Sequence, residues 1–352
     1  MRKSGKAGRK SRRTRTREPW WAGLPQRELV ELRLCDLGLS IEGTALEARV
    51  DKLHEELERA DLEFRPYVWL STDWFTPDGL SGFAIPFFLA HPRLARLERQ
   101  HMLQVEGGTR DGCMRLLRHE TGHAICNAYR LHHRKRWREL FGRFSEPYED
   151  TYQPRPYSKR FVTNLDNWYA QSHPAEDFAE TFAVWLQPGS RWWRAYDGWP
   201  AMRKLEYVDE LMIEIGEERW PKSRERPESL PRQRQRLRTY WEEKRARYAL
   251  DQPVEQLGEL EELYSAEPQF QRRPRAAAFL RDHRASLRQR VADMSGQYRY
   301  LVDQVLDDLI ERCEENELHL TKNQRESLVD AAVLLTVRVM NSLQEGYHLY
   351  SR

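Results

Sequence analysis

The sequence predicts an α+β fold that continues into a helical C-terminal region. Two segments, 66–76 and 82–90, are rich in aromatic and β-branched residues, which is typical of strands. Leucines recur at helical spacing in the segment before them, 24–63. Two further apolar stripes at helical spacing, within 301–310 and 328–343, predict helices that pack on one another.

The individual elements follow from turn and capping signals. The first strand is expected to end at Pro77-Asp78-Gly79, and a third strand is predicted at Met102 to Val105, before two glycines. A helix is expected from Thr109 or Asp111 to Leu131. Another should begin near His173-Pro174, because proline suits the first helical turn, and stop before Pro188-Gly189.

The composition is that of a soluble chain with room for more than one domain. Of 352 residues 39% are hydrophobic and 32% charged, and no apolar run reaches the length of a membrane helix. The four cysteines are scattered, which argues against a disulfide framework or a thiolate metal site. Their pattern fits a reducing compartment, so we expect a cytoplasmic protein.

The charge is concentrated at the amino terminus. Residues 1–18 carry nine Lys or Arg and one Glu, while the rest has 49 basic and 54 acidic residues. A tail of this composition cannot bury a core, and residues 1–20 are predicted to be a disordered basic tail. It could contact nucleic acid or another anionic surface, or it could simply be solvated.

The residues that point to chemistry begin with His119-Glu120-Thr121-Gly122-His123, an HExxH sequence within the predicted helix 109–131. Histidines four residues apart share a helix face and can chelate one ion. Zinc prefers such nitrogen ligands and, in catalytic sites, keeps a position open for water. Glu120 would then act as the general base that takes the proton of that water.

The third ligand decides between classes of zinc site. The metzincin continuation requires Gly and His where this chain has Cys126 and Tyr129, so that class is excluded. His132 and His133 lie in a basic cluster that would repel a cation.

A better source of the third ligand is the helix after His173, where Glu176 and Glu180 are one turn apart on the same face. One acid would bind the metal and the other would orient a histidine ring. His173 and Asp177 remain alternatives, although His173 reads more simply as a helix boundary and Asp177 projects away from Glu176.

The combined pattern carries a resemblance. HExGH, followed about fifty residues later by YAxxxPxEDFAExF, resembles a bacterial family described as zinc-binding metallopeptidases. More distantly it is similar to the catalytic domain of anthrax lethal factor, in which a Tyr lies seven residues before the ligand Glu. Tyr169, Glu176 and Ala179-Glu180 match that spacing. The upstream stretch from Gly82 also looks like the bacterial family.

The resemblance implies a zincin-like metallopeptidase domain, with a small mixed sheet beside the active-site helix, over residues 21–220. It implies His119, His123 and Glu176 as ligands of one Zn2+, with Glu120 as general base and Glu180 orienting a ligand. It also implies that the Tyr169 hydroxyl stabilises the oxyanion. In related zincins an edge strand binds the peptide, and Phe83–Ala90 or Met102–Val105 could supply it.

Residues 221–240 are predicted to be a charged linker and 241–352 an all-α domain, because 221–238 holds three prolines and little that can be buried.

The predicted function is zinc-dependent hydrolysis of a peptide or related amide bond. One alternative is a degenerate zincin that acts as a scaffold. Another is a nucleic-acid-associated protease that the basic tail recruits.

Overall fold

The computed structural model describes residues 18–149, 152, 154–216, 218–220, 225–248 and 258–344. The predicted tail, 1–20, lies outside these residues except for its last three. Helices dominate. The first eight are α1 (Gln26–Leu29), α2 (Ala45–Arg59), α3 (Pro92–Met102), α4 (Arg110–Ala128), α5 (Lys135–Phe141), α6 (Pro174–Leu186), α7 (Trp192–Ala195) and α8 (Met202–Ile215). They are followed by α9 (Leu237–Arg247), α10 (Gly258–Leu263), α11 (Ala276–Ser295), α12 (Arg299–Glu315) and α13 (Gln324–Gln344).

A small parallel sheet accompanies the first helices. Strand β1 (Tyr67–Ser71) pairs in parallel with β2 (Gly82–Pro86), and Phe75 forms an antiparallel bridge with Ala84 on β2. The described part of the chain is therefore mixed and helix-dominant, with a two-stranded parallel sheet, which is compatible with the predicted α+β class.

Several predicted strand features are wrong. Met102 to Val105 is not a strand, since α3 runs to Met102 and Leu103 takes a left-handed conformation with φ +62°. The strand predicted over 82–90 ends at Pro86 and continues as a 3-10 turn, Phe87–Ala90. Ala84 is paired on both sides, so β2 offers no free edge there for a peptide.

Buried apolar side chains form two large clusters in the described chain. The first draws on residues 21–241 and surrounds β2, α4 and α6. The second, within 260–339, joins α11, α12 and α13 and includes the predicted stripe within 301–310, apart from Leu301. A small third cluster, between Val162 and Leu205, packs against the end of α6.

Two further regions differ from their predictions. Leu230 and Leu237, within the segment predicted as a linker, are buried in the first cluster, so this segment packs on the core from Leu230 onward. The C-terminal region, predicted as all-α, contains a short antiparallel pair, β3 (Tyr264–Ser265) with β4 (His319–Leu320). The domain limits themselves remain a prediction.

A search of the described helices for a candidate membrane span finds none with the required length and apolarity.

Candidate metal centre

Helix α4 presents the HExxH residues from a fixed position. Thr109 caps the helix by accepting a hydrogen bond from the Gly112 amide at 3.0 Å. Arg118, the residue before His119, donates to both carboxylate oxygens of Glu56 on α2, at 2.8 and 3.1 Å. This buried bidentate pair ties α4 to α2 one residue away from the first histidine.

Helix α6 supplies the acids and begins where the sequence predicts. Pro174 occupies the first helical turn, and Nδ1 of His173 accepts a hydrogen bond from the Ala175 amide at 3.1 Å. Nε2 of His173 lies 2.9 Å from the Glu146 carbonyl, to which it donates. Both ring nitrogens of His173 are thus engaged, Nδ1 in capping the helix and Nε2 with the Glu146 carbonyl, which leaves neither for a metal.

A glycine sets the separation of these two helices. A Cβ atom added at Gly122 would lie 2.8 Å from Cα of Ala179 and 3.1 Å from its carbonyl oxygen. Real Cβ atoms essentially never approach another atom as closely as 2.8 Å. Gly122, within the HExxH sequence, therefore lets α6 approach α4 closely enough for Glu176 to reach the histidines.

Gly122→Ala should push α6 away from α4 and weaken the metal site. Overpacking of this kind costs about 1–3 kcal/mol in the free energy of unfolding, and bound zinc should fall with it. Chemical denaturation and metal analysis measure the two effects. Gly258→Ala, where nothing lies within 4 Å of the added atom, is the matched control. Unchanged stability and zinc content in Gly122→Ala would contradict this role.

Three side chains from the two helices converge on one point. Oε2 of Glu176 lies 2.9 Å from Nε2 of His119 and 3.1 Å from Nε2 of His123. The two Nε2 atoms are themselves 3.1 Å apart. Zinc binds nitrogen and carboxylate oxygen at about 2.0–2.2 Å, which places tetrahedral ligand atoms about 3.3 Å from one another. The donor types and their spacing fit a zinc ion, and the group could hold one.

Glu180 fixes the orientation of the first histidine. Its Oε1 lies 2.8 Å from Nδ1 of His119, and the side chain is completely buried. Asn164 donates to it from both its backbone and its side-chain amide, and the Leu165 amide donates at 2.7 Å. When Nδ1 carries the proton for this bond, Nε2 keeps its lone pair for a metal.

The histidines and the acids of this group shift one another's pKa values. Burial would lower the pKa of His119, but its bonds to Glu176 and Glu180 outweigh this and raise that pKa well above the usual value. Burial would raise the pKa of Glu176, but the two histidines hold it well below its usual range. Glu176 is therefore a carboxylate in this setting, the form that binds a cation.

Glu120 lies beside this group and has one hydrogen-bond donor of its own. Thr76, which follows β1, donates from Oγ1 to Oε2 of Glu120 at 2.7 Å. Burial raises the pKa of Glu120, although the histidines and the Thr76 hydroxyl act in the opposite direction. A raised pKa makes a carboxylate a better proton acceptor, as a general base requires.

Two tyrosines, Tyr169 and Tyr148, lie beside this group. The Tyr169 ring lies 5.6 Å from the ring of His119, in a 3-10 turn before α6. Burial, with the charge of Glu176 added, raises the pKa of Tyr169 well above its usual value, so its hydroxyl keeps its proton. Tyr148 donates from its hydroxyl to Oε1 of Glu176 at 2.9 Å, and its ring stacks on His173 at 3.8 Å.

The remaining candidates lie apart from the cluster. Oδ2 of Asp177 accepts from the Lys204 ammonium at 2.6 Å, and burial raises the pKa of Asp177 to about 7. The ring of His132 stacks on Phe144 at 4.1 Å, and its Nδ1 lies 3.8 Å from Sγ of Cys126.

The cluster opens into a large cavity of about 1560 Å³. One wall carries His119, Glu120, His123 and Glu176, together with both tyrosines. The C-terminal region also contributes to the lining, through the turn between α11 and α12, and Tyr248, which follows α9, lines the cavity as well. The three converging side chains therefore face a large cavity.

Residues 109–189 match one family model. Its description reads "Putative zinc-binding metallo-peptidase", and the matched range contains α4, α6 and all three converging side chains. The match supports a zinc-binding metallopeptidase at that level of description. Comparisons with curated proteins and with solved structures give no match.

Sequence reasoning missed three residues that contact this group. Thr76 lies in the predicted strand 66–76, Tyr148 in a proline-rich stretch, and Asn164 in the segment before α6. No local pattern marks any of them, because each contacts a residue that is 16 or more positions away in the sequence. A structure or an alignment of relatives is the signal that could have found them.

Proposed function

We propose that this protein is a zinc-dependent metallopeptidase that cleaves a peptide or related amide bond. The observation that carries the proposal is the convergence of two imidazole nitrogens and one carboxylate oxygen beside Glu120, at the edge of a cavity of about 1560 Å³. Structural zinc sites are normally closed by four protein ligands, whereas catalytic ones have three. Three ligands facing open space therefore favour catalysis.

In this proposal each residue has one role. His119, His123 and Glu176 hold the metal, and Glu180 orients His119 from behind. A bound zinc ion supplies Lewis acidity and lowers the pKa of a coordinated water to about 7. Glu120, held by Thr76, accepts the proton of the attacking water and then passes it to the leaving amine. The Tyr169 hydroxyl donates a hydrogen bond to the negative oxygen that develops on the carbonyl.

The zincin-like arrangement and the distant likeness to the anthrax lethal factor catalytic domain belong to this proposal. They rest on the spacing from Tyr169 to Glu176 and on the paired helices α4 and α6. Contact with nucleic acid through residues 1–18 stays a separate prediction, since residues 1–17 lie outside the described chain.

The direct test is digestion of a defined peptide mixture by the purified, zinc-loaded protein, with products identified by mass spectrometry. We expect cleavage that stops when zinc is removed by a chelator and returns when zinc is restored. A zinc-loaded protein that cleaves no peptide or amide would favour the alternative of a scaffold that has kept its metal.

Substitution of Tyr169 is expected to change turnover, and substitution of Tyr148 is expected to change zinc binding. Tyr169→Phe should lower kcat about 10²-fold or more with zinc content unchanged, because it removes a donor that acts in the transition state. Tyr148→Phe should instead weaken zinc binding about 10- to 100-fold, because its hydroxyl holds the free oxygen of Glu176. Zinc titration and kcat on the same preparations measure both effects. Equal effects of both variants on zinc binding would contradict this division.

A further inference from the structure

One acid in the wall of the cavity has no partner that explains its position. Glu106 lies in the loop between α3 and α4 and lines the same cavity as the metal-binding group. Its side chain makes no hydrogen bond or ion pair within the described residues, unlike Glu56, Glu98 and Glu180, which are all bonded. A partly buried carboxylate without a partner is costly unless something else supplies the counter-charge.

The surroundings of Glu106 do not supply it. Burial raises the pKa of Glu106 to about 7, and the negative charges of Asp73, Glu98 and Glu120 act in the same direction. Lys244 acts in the other direction, but its ammonium already bonds to Oε1 of Glu98 at 2.9 Å. The local field therefore favours a cation that enters from the cavity.

Two arginines of the cavity wall are already engaged with acids of their own. Arg115 pairs with Asp166 at 3.3 Å, and Arg299 lies 3.6 Å from Asp293. Arg99, the third, is exposed to solvent. None of the three is among the groups that act most strongly on Glu106.

Aromatic rings complete the surroundings. Tyr248, after α9, and Tyr298, before α12, line the cavity with ring centroids 4.8 Å apart. Glu106 lines the same cavity as both tyrosines, and its charge is the largest cause that raises the pKa of Tyr298 above its usual value. Aromatic faces attract ammonium and guanidinium groups, so a carboxylate beside two tyrosines suits an organic cation.

The C-terminal region holds this wall in place. Nε2 of Gln297 donates to Oδ1 of Asn167 at 3.3 Å, and the Arg299 amide donates to Oε1 of Gln104 at 3.2 Å. Gly296 has φ +73°, and a Cβ atom there would lie 2.4 Å from Oδ1 of Asn167. The turn between α11 and α12 is thus docked on the N-terminal half at the side where Glu106 lies.

We propose that Glu106, with Tyr248 and Tyr298, forms a subsite that binds a cationic group of the substrate. The group is a Lys or Arg side chain or a free terminal amine, and the C-terminal helices contribute to substrate choice through Tyr298. This inference rests on the proposed peptidase function and names the substrate class for the same cavity.

The test uses peptides of one cleavable sequence that carry either Lys or its uncharged analogue norleucine, each with a free or an acetylated amino terminus. Wild-type zinc-loaded protein should prefer the cationic form by about tenfold or more in kcat/KM, the size of one charge-assisted hydrogen bond. Glu106→Gln should lose most of this preference, and Glu106→Asp should keep part of it. Asp111→Asn, at an exposed acid of the same cavity wall, should leave it intact.

The acetylated peptides tell a side chain from a terminal amine, and either source supports the proposal. Equal preference in wild type and Glu106→Gln, with normal zinc content and thermal unfolding in both, would overturn it. Binding of the same peptides, followed by fluorescence anisotropy, separates this inference from the peptidase function. Peptide binding that depends on Glu106 but is not followed by cleavage would exclude the peptidase function and keep the subsite. Cleavage that does not depend on Glu106 would exclude the subsite and keep the peptidase function. If there is neither cleavage nor Glu106-dependent binding, both proposals are excluded.

Discussion

Glu176→Ala should lose most of its zinc, while the wild-type protein binds about one ion per chain. Oε2 of Glu176 is the only carboxylate oxygen within 3.1 Å of both Nε2 atoms in the described structure. Without it the ion keeps two protein ligands, fewer than the three of catalytic zinc sites. We expect a fall in zinc affinity greater than the roughly 10- to 100-fold typical of losing an outer hydrogen-bond partner.

The matched control for this variant is one residue further along α6. Asp177→Asn changes a buried acid on the same helix, whose carboxylate contacts Lys204 instead of the histidines. It should keep its zinc, and metal analysis of both variants with thermal unfolding as a check on folding tells them apart. Full zinc occupancy in Glu176→Ala, or loss of zinc in a folded Asp177→Asn, would contradict the assignment of the third ligand.

Glu120→Gln should keep zinc and lose turnover. Glutamine has nearly the same shape, and the Thr76 hydroxyl can still donate to its side-chain oxygen. It cannot accept a proton from water, so kcat should fall by about 10²- to 10⁴-fold, the usual contribution of a general base.

Zinc content and peptide turnover are measured on the same preparation of Glu120→Gln, so that lost activity cannot be attributed to lost metal. Asp111→Asn serves again as the control, since Asp111 lies on the same helix and cavity wall without contacting the metal-binding group. Turnover by Glu120→Gln at the wild-type rate would exclude Glu120 as the general base but would not contradict the assignment of the metal ligands.

The local parts of this site were predictable because they depend on residues close together in sequence. Helices α4 and α6 lie within one to three residues of their predicted limits, since helical periodicity and the signals at Thr109 and Pro174 act locally. The spacing of His119 and His123 follows from helix geometry alone. The meeting of α4 with α6 was inferred from the need for a third ligand and from a resemblance, because no local pattern specifies which helices pack together.

The parts that were not predicted depend on distant contacts. The two faces of the cavity come from opposite halves of the chain, and the Arg299 amide meets Gln104 across 195 residues. Thr76 and Tyr148 are ordinary in their own segments and gain a role only from what folds beside them. The strand predicted at Met102–Val105 was wrong for a local reason. A segment of only four residues before two glycines fits a loop as well as a strand.

The central claim is that two histidines and one carboxylate hold a zinc ion, and X-ray absorption at the zinc K edge tests it most directly. The wild-type protein should show only nitrogen and oxygen neighbours at about 2.0–2.2 Å, with an imidazole contribution from two histidines. Removal of Glu176 should change that spectrum, and removal of Asp177 should not. Sulfur neighbours at about 2.3 Å, or a wild-type protein that retains no zinc, would contradict the account.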